Sequence, residues 1–248
     1  MINVKTPDEL VIMRKANLIV RDVLLRIEDH IKPGVTTSYL DQVAREHIEK
    51  AGARPSFLNY QGYPASICAS IDDVVVHGIP SKNTYLEEGM IIGIDVGAFY
   101  NGFHGDAART FAIGRISPEK AKLVKVTKES FFKAIERIKD GVRLGDISSS
   151  IQQHVESNGF SVVRALVGHG IGREMHEEPS VPNYGEAGRG IRLHSNMTIA
   201  IEPMVNAGEY LVKTDRDGWT VRTKDGSPSA HYENTVLITE YGAEILTL

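Results

Sequence analysis

The sequence predicts an α+β fold built from two related halves, each made of helices followed by strands. Three observations carry this reading: a motif that recurs at a fixed offset, a helix-start signal ahead of each copy, and strand-like segments closing each half. Ile31-Lys32-Pro33-Gly34-Val35 resembles Ile138-Lys139-Asp140-Gly141-Val142, and the same offset of 107 residues pairs His47-Ile48-Glu49 with His154-Val155-Glu156 and Gly52 with Gly159. The first half opens at Thr6-Pro7-Asp8-Glu9 and the second at Ser117-Pro118-Glu119. In both, a hydroxyl side chain caps the helix, proline occupies its first turn and the acid faces the helix dipole. Gly52 and Gly159 stand where the helices after each motif should end. The strand-like segments are Met90 to Ile113 in the first half, and Thr198 to Val205 and Tyr232 to Thr239 in the second. No low-complexity linker divides the halves, about 1–113 and 114–248, so the expectation is a single domain over 1–248.

Composition narrows the function classes. With 248 residues, 42% of them hydrophobic, the chain holds enough apolar material for a sizeable core. Net charge is −4 and the pI about 6.1, which argues against a nucleic-acid footprint. No apolar run approaches the roughly 20 residues needed to cross a bilayer. The first ten residues carry three charges and no apolar stretch of the signal-peptide kind. The one cysteine, Cys68, cannot form an internal disulfide and fits a reducing, cytoplasmic compartment.

Chemistry first appears in Ile91-Ile92-Gly93-Ile94-Asp95-Val96-Gly97. Alternation predicts a strand with one apolar face and one face bearing a carboxylate between two glycines that clear space around it. Tyr100-Asn101-Gly102 supplies a hairpin turn, and the return strand carries Asp106. A loop at Asn101-Gly102 sets Asp106 diagonal to Asp95 on one face; a loop at Tyr100-Asn101 sets them directly opposite. Either register brings two carboxylates to one site, where they repel unless one holds a proton or a cation lies between them.

The second half adds donors of the same kind. Val167-Gly168-His169-Gly170-Ile171-Gly172 sets a histidine among glycines, and His176-Glu177-Glu178-Pro179 follows. Glu202 interrupts the apolar run Thr198-Ile199-Ala200-Ile201, and Glu233 lies in the β-rich run Ser229-Ala230-His231-Tyr232-Glu233-Asn234-Thr235. A carboxylate in a core strand is costly unless paired or bound to metal.

These segments together resemble the signature of type I, bacterial-type methionine aminopeptidases: His77-Gly78-Ile79-Pro80, Ile94-Asp95-Val96-Gly97, Asp106, Gly168-His169-Gly170-Ile171-Gly172-Arg173, His176-Glu177-Glu178-Pro179, Ile201-Glu202-Pro203 and Tyr232-Glu233-Asn234-Thr235. The resemblance spans nearly the whole chain in order and spacing. It implies the pita-bread fold, two pseudo-twofold-related αβ halves around an antiparallel sheet. It also implies five metal ligands: Asp95 on one ion, His169 and Glu202 on the other, and Asp106 and Glu233 bridging. Four carboxylates balance two divalent cations in charge, and the ligand types suit Co, Mn, Fe or Zn without choosing among them. The implied reaction is peptide hydrolysis by a metal-bridging hydroxide, with Glu202 handling the proton, His176 stabilising the oxyanion and His77 facing the substrate amide. The partners implied are nascent polypeptide N-termini with a small second residue, met at the ribosome by a monomer, with no membrane contact.

Phe57, Tyr60, Tyr63, Cys68, Met175 and Trp219 match the positions that enclose the methionine side chain, where aromatic rings and sulfur suit a thioether. The best-known bacterial members carry Cys at the Phe57 position and Phe at the Met175 position, so pocket shape departs from theirs. Asp72, Val74 and Ser229 resemble a monovalent-cation site of some members. The alternatives are an Xaa-Pro aminopeptidase or prolidase of the same fold, which usually has an additional N-terminal domain, and a non-catalytic binding relative, which would lose ligands that are all present here. A type II enzyme would carry a long helical insertion in the second half, whereas only 25 residues separate His176 from Glu202.

Overall fold

The computed structural model describes residues 2–248. Four α-helices lie among these residues: α1 (Pro7–Glu28), α2 (Thr37–Lys50), α3 (Pro118–Ile135) and α4 (Leu144–Ser157). The offset of 107 residues maps α2 onto α4 from end to end. Thr6 caps α1 by accepting a hydrogen bond from Glu9 N–H, Ser117 caps α3 through Lys120 N–H, and proline follows the cap in each. Beyond α2 and α4, Gly52 (φ 76°) and Gly159 (φ 84°) take the left-handed conformation that ends a helix, which glycine adopts without steric cost.

All described ladders are antiparallel and divide among four sheets. The first half centres on strand Ile91–Tyr100, flanked by Ile67–Ile71, Arg54–Pro55 and its hairpin partner Phe103–Ala112. The second centres on a five-stranded sheet in the order Ala243–Ile245, Asn234–Ile238, Thr198–Ile201, Gly168–Gly170, Glu177–Val181. Residues of α1 and α2 such as Val20, Ile27, Leu40 and Ile48 pack on the first sheet, and residues of α3 and α4 such as Phe131, Ile147 and Ile151 pack on the second.

The halves interlock. Strand Val74–Val76 of the first pairs with Val221–Thr223 of the second. A third core of Leu10, Met13, Phe103, Ile171, Leu237 and Leu246 draws on both halves. Across the centre, Glu233 N–H donates to Ala108 O (2.9 Å), and the Thr235 hydroxyl donates to Asp106 O (2.9 Å). These bonds fix the two central strand pairs edge to edge, with their carboxylates facing one space. Among the described residues no helix is long and apolar enough to span a membrane.

Candidate active site

Asn101 (φ 45°) and Gly102 (φ 92°) form the hairpin turn, so Tyr100 pairs with Phe103. That selects the diagonal register: Asp106 stands opposite Gly97, and Asp95 opposite Ala108. The glycines beside Asp95 do not leave the open space expected of them. A Cβ on Gly97 would lie 2.7 Å from Phe57 Cε1 and 2.8 Å from Ser56 Cβ, so Gly97 is required by the aromatic ring packed on it. At Gly93 the nearest neighbour would be Ser70 Cβ at an ordinary 3.6 Å.

All thirteen site residues predicted from the sequence line one cavity of about 180 Å³, together with Gln61. A larger groove of about 460 Å³, bordered by Leu24, Arg109, Lys128 and Leu248, lies apart from these groups. One end of the smaller cavity is polar: Asp95, Asp106, His169, Glu202 and Glu233. The other is apolar, where Phe57, Tyr63, Ala65, Cys68 and Met175 form a buried cluster against Tyr60, Ile79 and Trp219. The Tyr63 and Trp219 rings meet edge to face at 5.2 Å, and the Tyr63 hydroxyl donates to the carbonyls of Ile67 and Gly78.

At the polar end, His169 Nδ1–H donates to Gly170 O (2.8 Å), which leaves the Nε2 lone pair facing Asp106 Oδ2 (3.7 Å) and Glu202 Oε1 (3.6 Å). That orientation of a histidine by a carbonyl is typical of metal ligands. Burial pushes the Asp95 carboxyl up to about 7. Burial, then the charge on Asp95, raises Asp106 and Glu202 well above the carboxylate range; burial, then Asp106, does the same to Glu233. Asp95 Oδ1, Asp106 Oδ1 and Glu233 Oε1 are buried without hydrogen-bond partners. Crowded acceptors without donors are unfavourable until cations supply the missing charge, so the donor set fits divalent metal. Two triplets, Asp95–His231–Glu233 and Asp106–His169–Glu233, each have donor atoms within 4.8 Å of one another.

The flanking histidines come from opposite halves. His176 Nδ1 shares a hydrogen bond with the Tyr60 hydroxyl (2.8 Å), and its ring lies 4.2 Å from that of His169. His77 has φ 59°, a strained backbone for a residue other than glycine, and its pKa is lowered by burial and then by His176. Gly78 follows because a Cβ there would stand 2.2 Å from Ala69 O. Asp72 and Ser229 adjoin, Ser229 N–H donating to Asp72 O (2.8 Å), while the Asp72 carboxylate accepts from the Lys120 ammonium (2.6 Å).

Sequence reasoning missed Gln61 and His231. His231 stands two residues before Glu233, and the period-2 alternation of a strand was the signal that pointed to it. Its ring is 4% exposed, its Nε2 lies 3.7 Å from Glu202 Oε2 and 3.9 Å from Glu233 Oε2, and burial followed by His77 lowers its pKa to about 3.

The sequence profile of metallopeptidase family M24 matches residues 11–240. Methionine aminopeptidases from Clostridium acetobutylicum and Bacillus subtilis are 59% and 51% identical, each comparison covering all of this chain and 99% of the relative. The chain belongs to metallopeptidase family M24, among its bacterial-type methionine aminopeptidases. The crystal structure of methionine aminopeptidase from Thermotoga maritima superposes with a TM-score of 0.98 at 48% identity, covering 100% of this chain and 99% of that one. Prolidase from Pyrococcus furiosus aligns with a TM-score of 0.79 at 24% identity, over 65% of its length, a likeness of fold alone. The fold is thus the pita-bread fold expected from the sequence.

Proposed function

We propose that this cavity removes methionine from the N-terminus of polypeptides whose second residue is small, with residues 1–248 working as one catalytic domain. The observation that carries the reading is the abutment, in one cavity, of a largely buried apolar pocket on a buried carboxylate–imidazole cluster. The metallopeptidase family and the methionine aminopeptidases similar over the full length support it.

Asp95, Asp106, His169, Glu202 and Glu233 would hold two divalent cations, with Asp106 and Glu233 shared. Bound there, such cations supply Lewis acidity, polarising a carbonyl and making water acidic enough to attack near neutral pH. The chain's own groups do the rest. Phe57, Tyr60, Tyr63, Cys68, Met175 and Trp219 receive the methionine side chain and exclude water from it. A lysine or glutamate side chain would be buried there without a partner and is rejected. His77 holds the substrate amide. Tyr60 fixes the His176 ring through Nδ1, leaving Nε2 to donate to the oxyanion that develops on the scissile carbonyl. Glu202 takes the proton of the attacking water and passes it to the leaving amine. The substrates are the N-termini of newly made chains, met at the ribosome by a cytoplasmic monomer.

Release of methionine from Met-Ala-Ser, measured beside hydrolysis of an Xaa-Pro peptide, tests the reading. Cleavage of Met-Ala-Ser by the metal-loaded chain and indifference to Xaa-Pro are expected. Preference for Xaa-Pro would make it a prolidase-type enzyme, and inactivity on both a binding relative.

A further inference from the structure

His231 is unexplained by the ligand set above. It is the most deeply buried histidine of the described chain, and its Nε2 has no hydrogen-bond partner. An unpartnered buried nitrogen is unfavourable by about 1–3 kcal/mol and calls for an occupant. Its distances to Glu202 Oε2 (3.7 Å) and Glu233 Oε2 (3.9 Å) exceed a hydrogen bond. The distance to Glu233, the carboxylate shared by both ions, does suit two donors on one cation: atoms each about 2.1 Å from an ion stand roughly 3–4 Å apart. The backbone holds the ring there from two sides. Strand Ser229–His231 pairs with Met204–Asn206, and His231 N–H donates to Thr110 Oγ1 while its carbonyl accepts from the same hydroxyl, 2.9 Å each.

The arrangement repeats that of His169. Glu202 lies between the two imidazoles, Oε1 toward His169 and Oε2 toward His231. The two donor triplets share Glu233, and each contains one aspartate and one histidine. We infer that His231 is a sixth donor of the centre, binding through Nε2 to the ion held by Asp95 and giving each of the two cations one imidazole. This rests on the reading of the site as a two-metal centre. An all-oxygen position suits hard ions, whereas one with imidazole favours borderline ions such as Co(II), Fe(II) or Zn(II). His231 therefore moves the Asp95 position toward that group.

The test uses the full chain, stripped and reloaded with two equivalents of Co(II). In proton NMR, each histidine bound to Co(II) through one ring nitrogen gives a strongly shifted, solvent-exchangeable signal from the N–H of the other. Two such signals are expected from the wild type and one from His231→Gln. Calorimetric titration of His231→Gln should show one of the two sites weakened roughly tenfold or more, with the other unchanged. A single shifted N–H signal in wild type carrying two Co(II) overturns the assignment whether or not the variant folds. So does a variant that loses affinity but keeps both signals, since His231 would then act only by positioning a neighbour. A wild type that binds no Co(II) overturns the two-metal reading, and this inference with it.

Discussion

Lys5→Met should destabilise the protein and impair catalysis, although Lys5 belongs to neither the metal cluster nor the pocket. Lys5 Nζ lies 2.6 Å from Glu177 Oε2, and each side chain is 4% exposed. Glu177 follows His176, and its Oε1 accepts from the N–H groups of Arg173 (2.8 Å) and Glu174 (3.3 Å). The segment bearing Met175 and His176 is thus fastened from outside by the N-terminal residues, and again by Arg173 to Glu9 (2.7 Å). Methionine keeps the stem of lysine and removes its charge, leaving a buried carboxylate with two backbone donors. Breaking such a pair costs about 3–5 kcal/mol, against ~0–1 kcal/mol for a surface pair. In a domain of this size that is a fall in Tm of roughly 6–20 °C.

The pH dependence follows from Glu177. Burial alone raises its carboxyl; the hydrogen bond and charge of Lys5, together with hydrogen bonds from the Glu174 N–H and Asn3, outweigh this, and the net shift is downward. A depressed carboxyl pKa stabilises above the unfolded value and loses that contribution as pH falls through the folded one. The difference between wild type and Lys5→Met should therefore be full at pH 7 and shrink below about pH 4. Denaturant unfolding across pH and kcat/KM on Met-Ala-Ser measure the two effects. Lys5→Met/Glu177→Gln should recover much of the stability, because no unpaired charge remains. A loss under about 1 kcal/mol at pH 7, or a loss independent of pH, refutes the reasoning.

Gly97→Ala should cost about 1–3 kcal/mol and raise KM for methionyl peptides, because the new methyl pushes Phe57 into the pocket; an unchanged KM would show that Phe57 is not held by this contact. Met175→Phe should alter selectivity among methionine, norleucine and ethionine by a few-fold, read as kcat/KM on Xaa-Ala-Ser peptides, since a rigid ring replaces a side chain that refills space. In chelator-stripped protein the raised carboxyl groups stabilise at low pH, and stability should fall as pH rises from about 4 toward 7. Divalent metal should reverse that fall and release protons on binding, measured calorimetrically in buffers of different ionisation enthalpy; binding without proton release would contradict the protonated cluster.

What the sequence disclosed is what local chemistry governs. The repeat offset located α2 and α4, the Thr6 and Ser117 caps located α1 and α3, and Asn101-Gly102 located the turn. Each depends on residues within a few positions of one another, so composition and spacing suffice. The hairpin register was open between two choices because both give a plausible turn; the left-handed pair Asn101 and Gly102 decides it. The role of the glycines was misjudged because alternation describes one strand and not what packs on it. From Gly93-Ile94-Asp95-Val96-Gly97 alone, small residues read as free space. Phe57, forty residues earlier in the chain, fills the space beside Gly97.

His231 eluded sequence reasoning for a related reason. In Ser229-Ala230-His231-Tyr232-Glu233, alternation places His231 and Glu233 on the same side, but a strand histidine is most often a satisfied structural one. Only the unpartnered Nε2, facing Glu202 from the connection between two other strands, separates the two readings. The carboxylates announced themselves because charge in an apolar run is costly wherever the chain goes. A neutral imidazole carries no such penalty in sequence, and its meaning depends on long-range contacts that fix where the lone pair points.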